Sequence, residues 1–169
     1  MQPQRQSNPW LIVLGVCGGC ALLGIIAVVV LGAIGINKSK DLIKGAQAME
    51  VNMPKFLTDL KSKDYASAAA LVDPSAQDKL SADKIQALEE SVEKQLGALK
   101  SYPPKPTNTE STTIPDPSGK PTAGAEWKFS YKLTYEKGTA TATFAFKTTD
   151  VFHPSGLVTD FKIQPDNGG

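Results

Sequence analysis

The sequence predicts an α+β domain that follows an N-terminal transmembrane helix. Three observations carry this prediction. The segment from Trp10 to Ile36 contains no charged residue. Residues 38–102 repeat apolar side chains at helical spacing, whereas residues 125–165 alternate apolar and polar side chains with a period of two. Helices followed by antiparallel strands are typical of an α+β fold with the helices on one face of the sheet.

The apolar segment is long enough to cross a bilayer. As a helix it would measure roughly 40 Å, against a hydrocarbon thickness of about 30 Å. A secretory signal usually has a shorter apolar core of about 7–15 residues. We therefore expect an uncleaved anchor, with Trp10 at one interface and Lys38, Lys40 and Lys44 at the other. The alternative is a cleaved signal that ends near Ala33-Ile34-Gly35.

The two cysteines of the chain lie inside this segment, spaced as C-x-x-C. A redox site of this type needs a setting that stabilises a thiolate, and hydrocarbon does the reverse. We therefore interpret both as small helix residues. They lie on a stripe of small side chains that predicts a helix-pairing face, for a homodimer or for another membrane protein. The members of this face are Cys17, Cys20, Gly24 and Ala27.

The charge of the chain excludes one class of partner. Arg5 is the only arginine, and the lysines, all after Ile36, equal the 17 acidic residues in number. Nucleic-acid binding normally needs a basic face and arginine side chains, so we expect no nucleic acid as a partner. The predicted organisation is a tail at 1–9, a transmembrane helix at 10–36, a juxtamembrane helix or linker at 37–52, one α+β domain at 53–166 and a tail at 167–169.

Four helices are predicted before the sheet. The first covers residues 38–51 and carries Ile43 and Met49 on a loose apolar stripe, and Met53-Pro54 is expected to kink it or to start a second helix. Asp64 is expected to cap a short helix. The longest helix is predicted from Ser81 to Tyr102. Its inward residues are Ile85, Leu88, Val92, Leu96 and Leu99, and its outward, solvated residues are Glu89, Glu90, Glu93 and Lys94.

The second half predicts an irregular edge strand, a hairpin with its turn at Lys137-Gly138, and a last strand ending at Pro165. In the hairpin, the aromatic residues of the two strands alternate onto one buried face. These side chains are the candidates for lining an apolar pocket. They are Trp127, Phe129, Tyr131, Tyr135, Phe144 and Phe146.

Two short motifs carry a resemblance to a known family. The pattern FL..L...DY..A begins at Phe56, and G.V.DF.I.P runs from Gly156 to Pro165. With the order of the elements between them, residues 40–166 resemble the nuclear transport factor 2-like superfamily, in particular its small membrane-anchored bacterial domains of unknown function. The resemblance implies a curved antiparallel sheet that wraps the helices into a cone, with an apolar pocket in many members. It also implies a bacterial membrane protein whose domain faces the outside of the cell. The alternative orientation, with the domain in the cytoplasm, is favoured by the positive-inside rule, because Lys38, Lys40 and Lys44 outnumber Arg5 on the other side of the segment.

No catalytic, cofactor or metal set is predicted. His153 is the only histidine, and with Asp150 and Asp160 it offers too few ligands for a metal. An isomerase or dehydratase site would need a carboxylate, from Asp64 or Asp160, beside Tyr131 or Tyr135. Asp64 is better explained as a helix cap, and Asp160 points outward. We therefore expect a non-catalytic, membrane-anchored binding or scaffolding module, the alternatives being an enzyme that uses the pocket and an accessory subunit of a membrane complex.

Overall fold

The computed structural model describes residues 36–114, 124–148 and 154–166, with side chains from residue 43 onward. The helices are α1 (Ile36–Lys61), α2 (Tyr65–Ala69) and α3 (Ala82–Leu96), with a short 3-10 helix at Pro74–Ala76. The strands are β1 (Leu99–Ser101), β2 (Asn108–Ile114), β3 (Gly124–Tyr135), β4 (Thr139–Thr148) and β5 (Asp160–Pro165). Residues 10–35 of the predicted anchor, and Asp150 and His153, lie outside the described residues.

The strands form one open antiparallel sheet on which the helices pack, so the predicted α+β class is confirmed. Strand β3 pairs with three other strands: β1 and β2 pair with one of its edges, and β4 pairs with the other. Strand β5 completes the order β1-β3-β4-β5. No helix in 36–114, 124–148 or 154–166 is both long and apolar enough to span a bilayer.

The hairpin of β3 and β4 has the register that the alternation predicts. Trp127 lies opposite Phe146, and Phe129 lies opposite Phe144. The backbone N–H of Tyr135 donates to the carbonyl of Gly138 at 2.8 Å, which closes the turn. The buried face of this hairpin receives α1, whose Phe56 ring lies 5.2 Å from that of Phe144.

Of the two alternatives predicted at Met53-Pro54, the start of a second helix is wrong, because α1 continues through Pro54 to Lys61. Proline removes one helical hydrogen bond and costs about 3 kcal/mol in a helix interior. The side chains on both sides of it enter one core, and each fully buried side chain of this size contributes about 1.5–3 kcal/mol. Their packing outweighs the cost. These side chains are Met49, Met53, Phe56, Leu57 and Leu60.

Helix α3 ends earlier than predicted, at Leu96. Gly97 has φ +77°, a left-handed conformation that stops a helix and that glycine adopts without strain. Leu99 is buried as predicted, but it belongs to β1 and not to the helix. Ile43, expected on the inward stripe of α1, is 46% exposed. The cap at Asp64 is confirmed, since its carboxylate accepts the N–H of Ser67 at 3.0 Å.

Candidate functional site

The aromatic residues predicted to line a pocket all lie on the buried face of the β3–β4 hairpin. Tyr131 and Phe146 are 1% exposed, and Trp127, the least buried of the six, is 9% exposed. Four of the rings form edge-to-face pairs, Phe129 with Phe146 and Tyr131 with Phe144, with ring centroids 5.6 Å and 5.8 Å apart. The structure therefore places the six residues on one buried face of the hairpin, as predicted. That they line a ligand pocket stays a prediction.

One carboxyl group enters this apolar interior. The side chain of Glu89, in the middle of α3, is only 1% exposed. The hydroxyl of Tyr135 donates to it, with the oxygen 2.9 Å from Oε2 and 3.1 Å from Oε1. The sequence-based interpretation of Glu89 as a solvated surface residue is therefore wrong. The pair connects α3 to the last residue of β3.

The position of Glu89 on the helix explains its burial. Ile85 precedes it by four residues and Val92 follows it by three, and both are buried. Residues at these spacings share one helix face, so the glutamate lies on the inward stripe. Tyr135 reaches it from the sheet because the alternation along β3 turns this side chain toward the helices.

The surroundings of Glu89 disfavour its charge. Burial raises the pKa of its carboxyl group to about 7, and the nearby Glu93 adds to the increase, whereas the Tyr135 hydrogen bond and Lys63 oppose it. Lys63 offers little compensation, because its Nζ lies 2.7 Å from Oε2 of Glu93. The pKa of Tyr135 is raised as well, chiefly by burial. Near neutral pH, both the protonated and the ionised form of Glu89 are therefore expected.

A buried acid with such a pKa could serve as a catalytic acid or base, because it exchanges a proton near neutral pH. Tyr135 supplies a hydrogen-bond donor beside it. However, Glu89 and Tyr135 are 1% and 3% exposed, so a substrate would reach them only after a rearrangement of the helices. In the described part of the chain, no group of three or more His, Cys, Asp or Glu side chains is arranged to hold a metal ion.

Part of this site could be predicted from the sequence. The period-two pattern of β3 predicts that Tyr135 faces inward. The spacing of Glu89 from Ile85 and Val92 is the signal that could have placed it on the apolar stripe, whereas the charges at Glu90 and Glu93 indicate a solvated face. The candidate carboxylates Asp64 and Asp160 are both exposed, and neither accompanies a tyrosine of the interior.

No protein-family model, curated protein or solved structure matches this chain.

Proposed function

We propose that this protein is a single-pass membrane-anchored module that binds or scaffolds a partner and does not catalyse a reaction. The observation that carries the proposal is the uncharged segment from Trp10 to Ile36, which the residues of α1 follow in the sequence. The helix next to the predicted anchor is therefore also a core helix of the domain.

The packing of α1 supports the proposal of a stiff connection between anchor and domain. Helix α1 runs to Lys61 without interruption, and its second half carries Met53, Phe56 and Leu57 into the core. The helix is also attached to the segment before β5, since the side-chain amide of Asn52 donates to the carbonyl of Gly156 at 2.7 Å. A domain held in this way would keep a fixed orientation to the membrane, which suits the presentation of a binding surface.

The site and the charge of the domain support the non-catalytic interpretation. Glu89 and Tyr135 are enclosed among apolar side chains, where they link two elements of the fold.

Acidic residues and lysines are equal in number after Ile36, so a nucleic acid is not proposed as a partner. The proposed partners are the lipid bilayer and either a second copy or another membrane protein, paired through the face of Cys17, Cys20, Gly24 and Ala27.

Family membership is part of the proposal. The helices precede an antiparallel sheet, and the motif residues Phe56, Ala68 and Phe161 are all buried, as expected of structural positions. These features support a nuclear transport factor 2-like cone. With the resemblance comes a location in a bacterial cell membrane, with the domain on the extracytoplasmic side.

A second candidate is an enzyme of the isomerase or dehydratase type. The hydrogen bond between Tyr135 and the carboxyl group of Glu89 favours it, because such an enzyme needs a carboxylate beside a tyrosine. The burial of both groups argues for a structural role instead. An accessory subunit of a membrane complex is the third candidate, and it shares the anchor with the leading proposal.

Membrane fractionation tests the anchor on which the leading proposal depends. We expect the full chain to remain in the membrane pellet after an alkaline wash. The double variant Ile26→Lys/Val29→Lys should move to the supernatant, because each buried ammonium group costs about 3 kcal/mol at the centre of an inserted helix.

The matched control is Gln47→Lys/Val51→Lys, which places the same two charges on exposed positions of α1. This control should stay in the pellet. Recovery of the wild-type chain in the supernatant would refute the anchor.

A further inference from the structure

Glu89 contacts the sheet through a single hydrogen-bond donor, the hydroxyl of Tyr135. Both of its carboxyl oxygens lie within 3.1 Å of the single hydroxyl of Tyr135. A hydroxyl has one hydrogen to donate, whereas an ionised carboxylate accepts about four hydrogen bonds. A protonated carboxyl group needs fewer donors and contributes one of its own. Ionisation would therefore leave hydrogen-bonding capacity of the buried anion unmet, so the fold prefers the neutral acid, although the Tyr135 hydrogen bond itself reduces this preference.

The charges that face the pair do not offset this preference. Glu93, one turn further along α3, is a like charge. Lys63, in the turn after α1, is engaged by Glu93, and α2 contributes the neutral Tyr65. Strand β3 contributes only Tyr135 itself. Strand β5 also packs on α3, but it directs Phe161 and Ile163 inward and leaves Asp160 and Lys162 exposed.

We propose that the burial of Glu89 makes the packing of α3 against the end of β3 depend on one proton: α3 stays packed while Glu89 is protonated and opens when it ionises, because the single hydroxyl of Tyr135 does not replace the water that the anion would have outside the fold. The domain would thus respond to a change of pH around neutrality with an opening of α3. The response comes from the fold itself and requires no ligand.

The direction of the effect follows from the two states. A glutamate of the unfolded chain titrates near 4.5, and folding raises the pKa of Glu89 to about 7. Because the folded value is the higher one, the stabilisation is complete below pH 4.5 and is lost as the pH rises to about 7. Between pH 5.5 and 8, the equilibrium constant for the opening of α3 should rise roughly 30-fold, at most tenfold per pH unit.

Amide hydrogen exchange of the full chain in mild detergent tests this, with intrinsic exchange rates corrected for pH. In the wild type, peptides of α3 should lose protection by that factor between pH 5.5 and 8. In Glu89→Gln, which keeps the hydrogen-bonding shape without the titration, the change should fall to within about twofold. The matched control is Glu90→Gln, the neighbouring residue, whose carboxylate accepts from Gln86 on the partly exposed side. It should keep the wild-type response.

Tyr135→Phe separates a proton-dependent contact from a merely structural one. The Tyr135 hydrogen bond lowers the pKa of Glu89, so its removal should move the midpoint of the transition to higher pH. An infrared carbonyl band of a protonated carboxyl group should follow the same midpoint and should be missing in Glu89→Gln. Because this band reports the protonation of Glu89 in the wild type, it tests the proposal even if one variant does not fold. A pH-independent α3 in the wild type, or an unchanged response in Glu89→Gln, would overturn the proposal.

Discussion

Replacing Phe144 with alanine is expected to lower the free energy of unfolding by about 4 kcal/mol, the largest effect of any single change considered. Phe144 is completely buried at the centre of the sheet. Its ring contacts three others, at centroid distances of 5.2 Å to Phe56, 5.0 Å to Phe161 and 5.8 Å to Tyr131. Truncation would leave a cavity that joins α1, β3 and β5, and so would weaken all three contacts at once.

Urea-induced unfolding of the full chain in mild detergent, followed by circular dichroism, measures this loss. The control is Thr143→Ala, one residue earlier on β4, whose hydroxyl lies on the other face, 3.3 Å from that of Ser130. We expect it to cost about 1 kcal/mol or less. A similar, small effect for both variants would show that the aromatic layer is not the centre of the core.

Replacing Gly45 with alanine is expected to destabilise the domain by about 2 kcal/mol, although alanine is the better helix former by about 1 kcal/mol. The structure leaves no room for a side chain there. A Cβ atom at Gly45 would lie 2.2 Å from Cγ of Pro154 and 2.6 Å from its carbonyl oxygen. The helix and the segment before β5 would have to separate, and the hydrogen bond from Asn52 to Gly156 would break with them.

The same unfolding experiment, together with hydrogen exchange of the first half of α1, measures this effect. Gly138→Ala is the matched control, because its added Cβ would meet only the end of the Leu96 side chain, at 3.1 Å, which can move. It should cost less than about 1 kcal/mol. If Gly45→Ala were stabilising, helix propensity would dominate, and the stiff connection between anchor and domain would lose its support.

The β3–β4 hairpin was predictable because its signal is local and repeated. The alternation from Trp127 to Tyr135, with a turn at Lys137-Gly138, fixes which residues face inward and which strands pair. The helix ends were less predictable, because a single residue decides them. Leu99 continues the apolar spacing of α3, yet the left-handed Gly97 stops the helix before it. Conversely, Pro54 looks like a boundary, but the core contacts on both sides of it maintain one helix.

The candidate site could be predicted only in part, because its polar member contradicts the usual preference of its residue type. Glutamate is rarely buried without a cation, so a charge pattern at Glu89, Glu90 and Glu93 indicates a solvated face. The distinction between these residues lies in tertiary contacts, which place Glu89 against Tyr135 and Glu93 against Lys63. The helical spacing of Glu89 from Ile85 and Val92 indicates its burial, but only the packed structure shows which of the three glutamates is buried.

The most direct measurement is the intact mass of the mature polypeptide together with the fraction in which it occurs. If the apolar segment is a permanent tether, the polypeptide from membranes will include every residue between Trp10 and Ile36, and little will be found in buffer. A freely dissolved polypeptide that starts near Ile36 would mean that the segment is removed during export, and the membrane-anchored module proposed above would not exist.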